Sequence, residues 1–165
     1  MPGSWLPQGH PHLDEDSCTV TSPISPLYNC IAWAAGDTRR WWWPAARRGV
    51  SYWPRGVPRE TTLQSFIQAF ETLGFALCAD HSLEPGIEKV AIYRKIEGGR
   101  AIPTHAAFQL ESGQWTSKMG SLEDIIHDTV DGVNGPTYGE PAAFLSRPRQ
   151  PRPSADLDTM HLHFS

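Results

Sequence analysis

Apolar residues recur at helical spacing over one long stretch, Leu63, Phe66, Ile67, Phe70 and Leu73. Steps of three and four residues put these side chains on one face of an α-helix, which predicts a helix over Thr61–Leu73. Thr61 and Gln64 have the spacing of a capping box, and Gly74 supplies a residue that can end the helix in a left-handed conformation. A shorter helix is predicted over Tyr28–Ala35, where Ile31 and Trp33 sit among alanines and Gly36-Asp37 forms the stop. Downstream the pattern changes to short strand-like runs at Phe75–Ala79, Lys89–Lys95, His105–Leu110 and Gln114–Met119. The last two flank Glu111-Ser112-Gly113, which reads as a hairpin turn. After Gly120, Ser121-Leu122-Glu123-Asp124 places acids where the first turn of a short helix through Ile125, Ile126 and His127 would want them. Helices followed by antiparallel strands predict an α+β domain, with N-terminal helices packed on a small antiparallel sheet.

The two ends read differently. Residues 1–26 hold Pro2, Pro7, Pro11, Pro23 and Pro26 and an acidic cluster at Asp14, Glu15 and Asp16, and are expected to be an extended lead-in. Residues 27–146 form the predicted domain. Residues 147–165 open with Arg147-Pro148-Arg149-Gln150-Pro151-Arg152-Pro153 and are expected to be a tail that does not pack. Between the two helices, Trp41, Trp42, Trp43 and Trp53 alternate with Arg39, Arg40, Arg47, Arg48 and Arg55, and Pro44, Pro54 and Pro58 forbid regular structure. This loop can cover one side of the core, or offer a ligand-binding rim through stacking and cation–π contacts.

A net charge of −4 gives no general attraction for nucleic acid or anionic membranes. No apolar run approaches the roughly 20 residues that span a bilayer. The N-terminus, Met-Pro-Gly-Ser-Trp-Leu-Pro, lacks the basic and apolar regions of a secretory leader. Cys18, Cys30 and Cys78 are odd in number and widely spaced, so at least one thiol is free, which suits a cytoplasmic protein or one exported without a recognisable signal. With no Gly-rich phosphate loop, no HExxH and no paired-cysteine spacing, no cofactor or metal is expected. His10, His12, His161 and His163 fall in the ends, His81 and His127 read as surface residues, Cys18 as exposed and Cys78 as core.

One cysteine stands apart. Cys30 opens a helix, where unpaired backbone N–H groups and the positive end of the dipole favour thiolate. His105 opens a strand and can serve as its base. A third polar group should hold the imidazole, and on the next strand Ser117 or Gln114 can do so, with His127 a further option. Asn29 is either the helix N-cap or an oxyanion donor. Lys118 is either a solvated strand end or a contact for a substrate carboxylate.

Tyr28-Asn29-Cys30-Ile31-Ala32-Trp33-Ala34, His105-Ala106-Ala107 and Gly113-Gln114-Trp115-Thr116-Ser117-Lys118 together resemble the papain-like superfamily of cysteine hydrolases. Within it the likeness is to the NlpC/P60-type branch and to small bacterial domains of uncharacterised function, over roughly residues 27–145. The resemblance implies a papain-like fold and peptidase, amidase or acyl-transfer chemistry on a peptide, amide or acyl substrate. It implies Cys30 as nucleophile, His105 as base and Ser117 as third member, with Asn29, Gln114, Trp115 and Lys118 near the oxyanion or substrate. No glutamine precedes Cys30 at the upstream oxyanion position, and no Asn or Asp lies on the strand after His105. The alternative is a binding module without catalysis that uses the Trp/Arg-rich loop.

Overall fold

The structure, a computed structural model, describes residues 10–14, 16–45 and 49–152. In chain order these form β1 (Cys18–Val20), α1 (Cys30–Ala35), α2 (Leu63–Glu71), β2 (Ala76–Cys78), β3 (Ile87–Glu97), β4 (Arg100–Gln109), β5 (Trp115–Lys118), β6 (Asp124–His127), a 3₁₀ turn (Val130–Val133) and β7 (Glu140–Pro148). The strands make one seven-stranded antiparallel sheet in the order β1-β6-β5-β4-β3-β7-β2. With helices of only six and nine residues, the molecule is far richer in strand than the expected α+β, papain-like plan, and that fold expectation is corrected.

Three local misreadings account for the difference. Residues 124–127 are a strand instead of a helix. Period-two alternation sends Asp124 and Ile126 to one face and Ile125 and His127 to the other, and pairing with both β5 and β1 satisfies their backbone. A helix of so few residues would have had to meet its nucleation cost alone. The lead-in contributes β1, which covers the outer edge of β6, and buries Leu13 and Cys18. The supposed tail supplies the end of β7, Arg147 and Pro148, and continues packed to Arg152; β7 itself lies between β3 and β2.

Arginine explains why residues 147–152 pack despite their prolines. Each guanidinium carries five donors in a rigid fork and can satisfy carbonyls at the end of an element. Arg147 pairs with the fully buried Glu88 carboxylate at 2.7 Å and donates to Leu73 O. Arg149 donates to Gln109 O and Ile87 O. Arg152 donates to Trp33 O and Ala34 O, carbonyls in the last turn of α1, and lies 3.6 Å over the Phe108 ring. Gly36, at φ +88°, closes the same helix end with its own N–H.

Two apolar clusters sandwich the sheet. On one face α1, α2 and the tryptophan loop pack Ile31, Trp33, Trp42, Trp53, Phe66 and Phe70 against Val90, Ile92, Ala106 and Phe108. The core role of the tryptophans therefore prevails for Trp42 and Trp53, while Arg47 and Arg48 lie outside the described residues. The opposite face holds Ala91, Tyr93, Ala107, Trp115 and Ile125 beneath Leu13, Cys18 and the 3₁₀ turn. Helix α2 starts at Leu63, two residues later than its sequence suggests, because Thr62 and not Thr61 caps it by accepting from Ser65 N.

Replacing Arg147 with methionine strands the Glu88 carboxylate in the core, and breaking a buried pair this way costs about 3–5 kcal/mol. Urea unfolding of Arg147→Met should show that loss, and the double variant with Glu88→Gln should recover much of it. A single-variant loss below about 1 kcal/mol would mean residues 147–152 are not integral to the fold.

Candidate functional site

The ladder between β4 and β5 is two pairs long, Phe108↔Thr116 and Gln109↔Trp115. Toward Thr104 and Lys118 the strands part, and Cys30, His105 and Ser117 collect at this split.

Cys30 reaches it from the helix face. Its sulfur lies 4.0 Å from Thr104 O, and the Ala106 N–H is also turned toward it, so it rests on the two backbone groups that flank His105. Asn29 caps α1 by accepting from Ala32 N at 3.1 Å. The same amide donates to Trp42 O and accepts from Trp42 N, which locks the tryptophan loop to the helix start. The capping role thus holds, and this amide is engaged with protein on both sides. Burial pushes the Cys30 thiol up to about 11, against the opposing pull of the Ala106, Ile31 and Cys30 N–H groups and of Lys118. Desolvation wins over the helix start, so Cys30 rests as a thiol.

His105 reaches the split from the other face. Its ring stacks on Tyr138 with centroids 3.9 Å apart and meets the edge of Tyr93 at 5.2 Å. Nε2 lies 2.9 Å from Ser117 Oγ. Ser117 Oγ in turn lies 2.8 Å from His127 Nε2, and His127 Nδ1 lies 2.7 Å from Thr129 O. All three side chains are fully buried. His105 Nδ1 has no hydrogen-bond partner, so no such bond joins it to the Cys30 sulfur.

The other expected residues are placed elsewhere. Gln114 sits in the hairpin and donates to Asp128. Trp115 is a core residue of the second cluster. Lys118 is fully buried, contrary to a solvated strand end. Its ammonium donates to Ser25 O and Gly120 O and faces the Tyr28 ring at 5.0 Å, while Tyr28 donates to Asp124. No free ammonium is left for a substrate carboxylate, and its charge acts on Cys30 at a distance.

His10 and His127, expected in a loose end and on the surface, are buried beside His105 instead. The alternation of Ile125 and His127 on one strand face was the signal for His127. Burial lowers the pKa of His10, takes that of His127 down to about 4 and that of His105 well below the usual histidine range, the last also through its histidine neighbours. Among the described residues, no group of three or more His, Cys, Asp or Glu is arranged to hold a metal, and no helix is long and apolar enough to cross a membrane.

Three buried neutral histidines make stability depend on pH. Each binds a proton less readily folded than unfolded, so the unfolded chain gains protons first as pH falls, and stability drops in that direction. For His127 the window runs from 6.5 down to about 4. Each histidine inside its window contributes a slope of about 1.4 kcal/mol per pH unit. Unfolding free energies measured from about pH 7 to about pH 5 should fall steeply, and a flat series would contradict the burial of these rings.

No curated protein and no solved structure matches the chain. A family described as a domain of unknown function, DUF7689, matches residues 19–146, from β1 into β7, and so takes in the split and every side chain around it except His10. The chain belongs to the DUF7689 family.

Proposed function

We propose that this domain is a thiol-dependent hydrolase or acyltransferase acting on an amide or ester bond, with Cys30 as nucleophile and His105 as base. One observation carries the reading. The Cys30 sulfur sits on the backbone to either side of His105, while His105 Nδ1 is buried and unpartnered, with Nε2 anchored to Ser117. In the reaction the thiol proton passes to Nδ1 as the sulfur electron pair bonds to the carbonyl carbon. The first N–H groups of α1 face the developing oxyanion. The tetrahedral adduct then expels the amine or alcohol, which takes the proton back from His105. Water, or an acceptor amine or alcohol, releases the acyl group from the thioester and regenerates the thiol.

The complete burial of both groups favours a second reading, a non-catalytic binding role for the tryptophan loop. There the half-exposed Arg40 lies 3.7 Å over the Tyr52 ring and offers a stacking surface.

A peptidyl vinyl sulfone, which traps nucleophilic thiols, separates the two. The catalytic reading expects adduct on Cys30, lost in Cys30→Ala and slowed about 10²–10⁴-fold in His105→Ala, the usual contribution of a general base. Adduct on Cys18 or Cys78 alone, or a rate on Cys30 indifferent to His105, would favour the binding role.

A further inference from the structure

The hydrogen-bond chain behind His105 has a direction, and its far end sets it. Thr129 O can only accept, so His127 Nδ1, at 2.7 Å, carries a proton. His127 is neutral in its buried setting, which leaves Nε2 as a bare lone pair. Ser117 has one hydroxyl proton, and at 2.8 Å it must point at that lone pair. The Ser117 oxygen is then an acceptor toward His105, whose Nε2 at 2.9 Å must carry the N–H. A neutral imidazole has one N–H, so His105 Nδ1 is the bare nitrogen, and it is also the one without a partner. Reversing the chain would set a lone pair of His127 against the lone pairs of Thr129 O.

We propose that His127, acting through Ser117, is the positioning residue that fixes His105 in its Nε2–H tautomer and leaves its Nδ1 lone pair free of a proton. The use of that lone pair as a base rests on the function proposed above; the tautomer does not. The other groups around the ring leave the assignment alone. Tyr138 and Tyr93 meet it through their ring faces and edges, and the Tyr93 hydroxyl is spent on Val130 O. His10 packs at a tilt against Tyr138, with centroids 4.8 Å apart.

Nitrogen-15 NMR of the full chain labelled at histidine, near neutral pH, reads both tautomers directly. The expected spectrum has His105 protonated at Nε2 and His127 at Nδ1. In His127→Phe the Ser117 hydroxyl loses its acceptor and can turn to His105, so an Nδ1–H population of His105 should appear. Vinyl sulfone labelling of Cys30 should then slow on the order of tenfold, part of what a general base supplies. His127→Gln restores an acceptor oxygen and should restore both signals. Should His127→Phe fail to fold, Ser117→Ala breaks the same chain at its middle and should also release the tautomer. Native His105 protonated at Nδ1, or a tautomer unmoved by His127→Phe or Ser117→Ala, would overturn the proposal. The expected tautomers in a protein whose Cys30 never reacts would uphold the relay and end the thiol-enzyme reading.

Discussion

A serine hydroxyl has one proton to give, and that of Ser117 is committed within the fold. It lies between two imidazoles carried by different strands, and the carbonyl at the end of the chain decides which of them donates. Its neighbour Thr116 does the same work on the opposite face. There Trp33 Nε1 donates to the Thr116 hydroxyl at 3.0 Å, and the hydroxyl passes its own proton to Ile125 O. Alternation along β5 puts one hydroxyl on each face of the sheet. One ties α1, and with it Cys30, to the sheet; the other ties His105 to His127. Because only two ladder pairs join β4 to β5, these side-chain chains hold the strands beside their own split. The Thr116 chain is satisfied throughout and stiffens the core, whereas the Ser117 chain ends on the unpartnered Nδ1 of His105.

That arrangement explains what the sequence could reveal. Helix α2 was legible because its signal is local, five apolar residues on one face with a cap and a stop. The β4–β5 hairpin was legible for the same reason, through two strand-like runs around Ser112-Gly113. Strands β1 and β7 were not, since each depends on a partner far along the chain. β1 pairs with β6 more than a hundred residues later, and β7 pairs with β3 and β2 far earlier in the chain, with arginines at and beyond its end reaching Glu88, Gln109 and α1. The acids before Ile125 suggested a helix dipole, but two neighbouring strands offered the segment more hydrogen bonds than an isolated turn could.

The site divides along the same line. Cys30, His105 and Ser117 could be picked out as candidates from local pattern, although His105, read as opening a strand, lies in the middle of β4. Gln114, Trp115 and Lys118 share their stretch of chain with Ser117, but alternation and the hairpin turn send them to the turn, the second cluster and the helix face. His127 reads as a surface residue as long as its segment is read as a short helix. Once that segment is a strand, His127 falls beside Ser117, and the polar chain follows from geometry that no local motif encodes.

Burial also decides which form of chemistry the pair can support. Raising the thiol from 9.0 to about 11 disfavours the thiolate by roughly 3 kcal/mol, and His105 is likewise held neutral. The N–H groups at the start of α1 and the ammonium of Lys118 do not recover that cost. A resting thiolate–imidazolium pair would put two charges in a fully buried split, where desolvation outweighs their attraction unless every remaining hydrogen bond is met. In the proposed reaction, proton transfer to His105 therefore accompanies carbon–sulfur bond formation instead of preceding it. The negative charge then passes to the substrate oxygen at the first turn of α1, where N–H donors face it. A preformed tautomer matters most in such a site, because it spares the base a proton exchange between its two nitrogens before it can act.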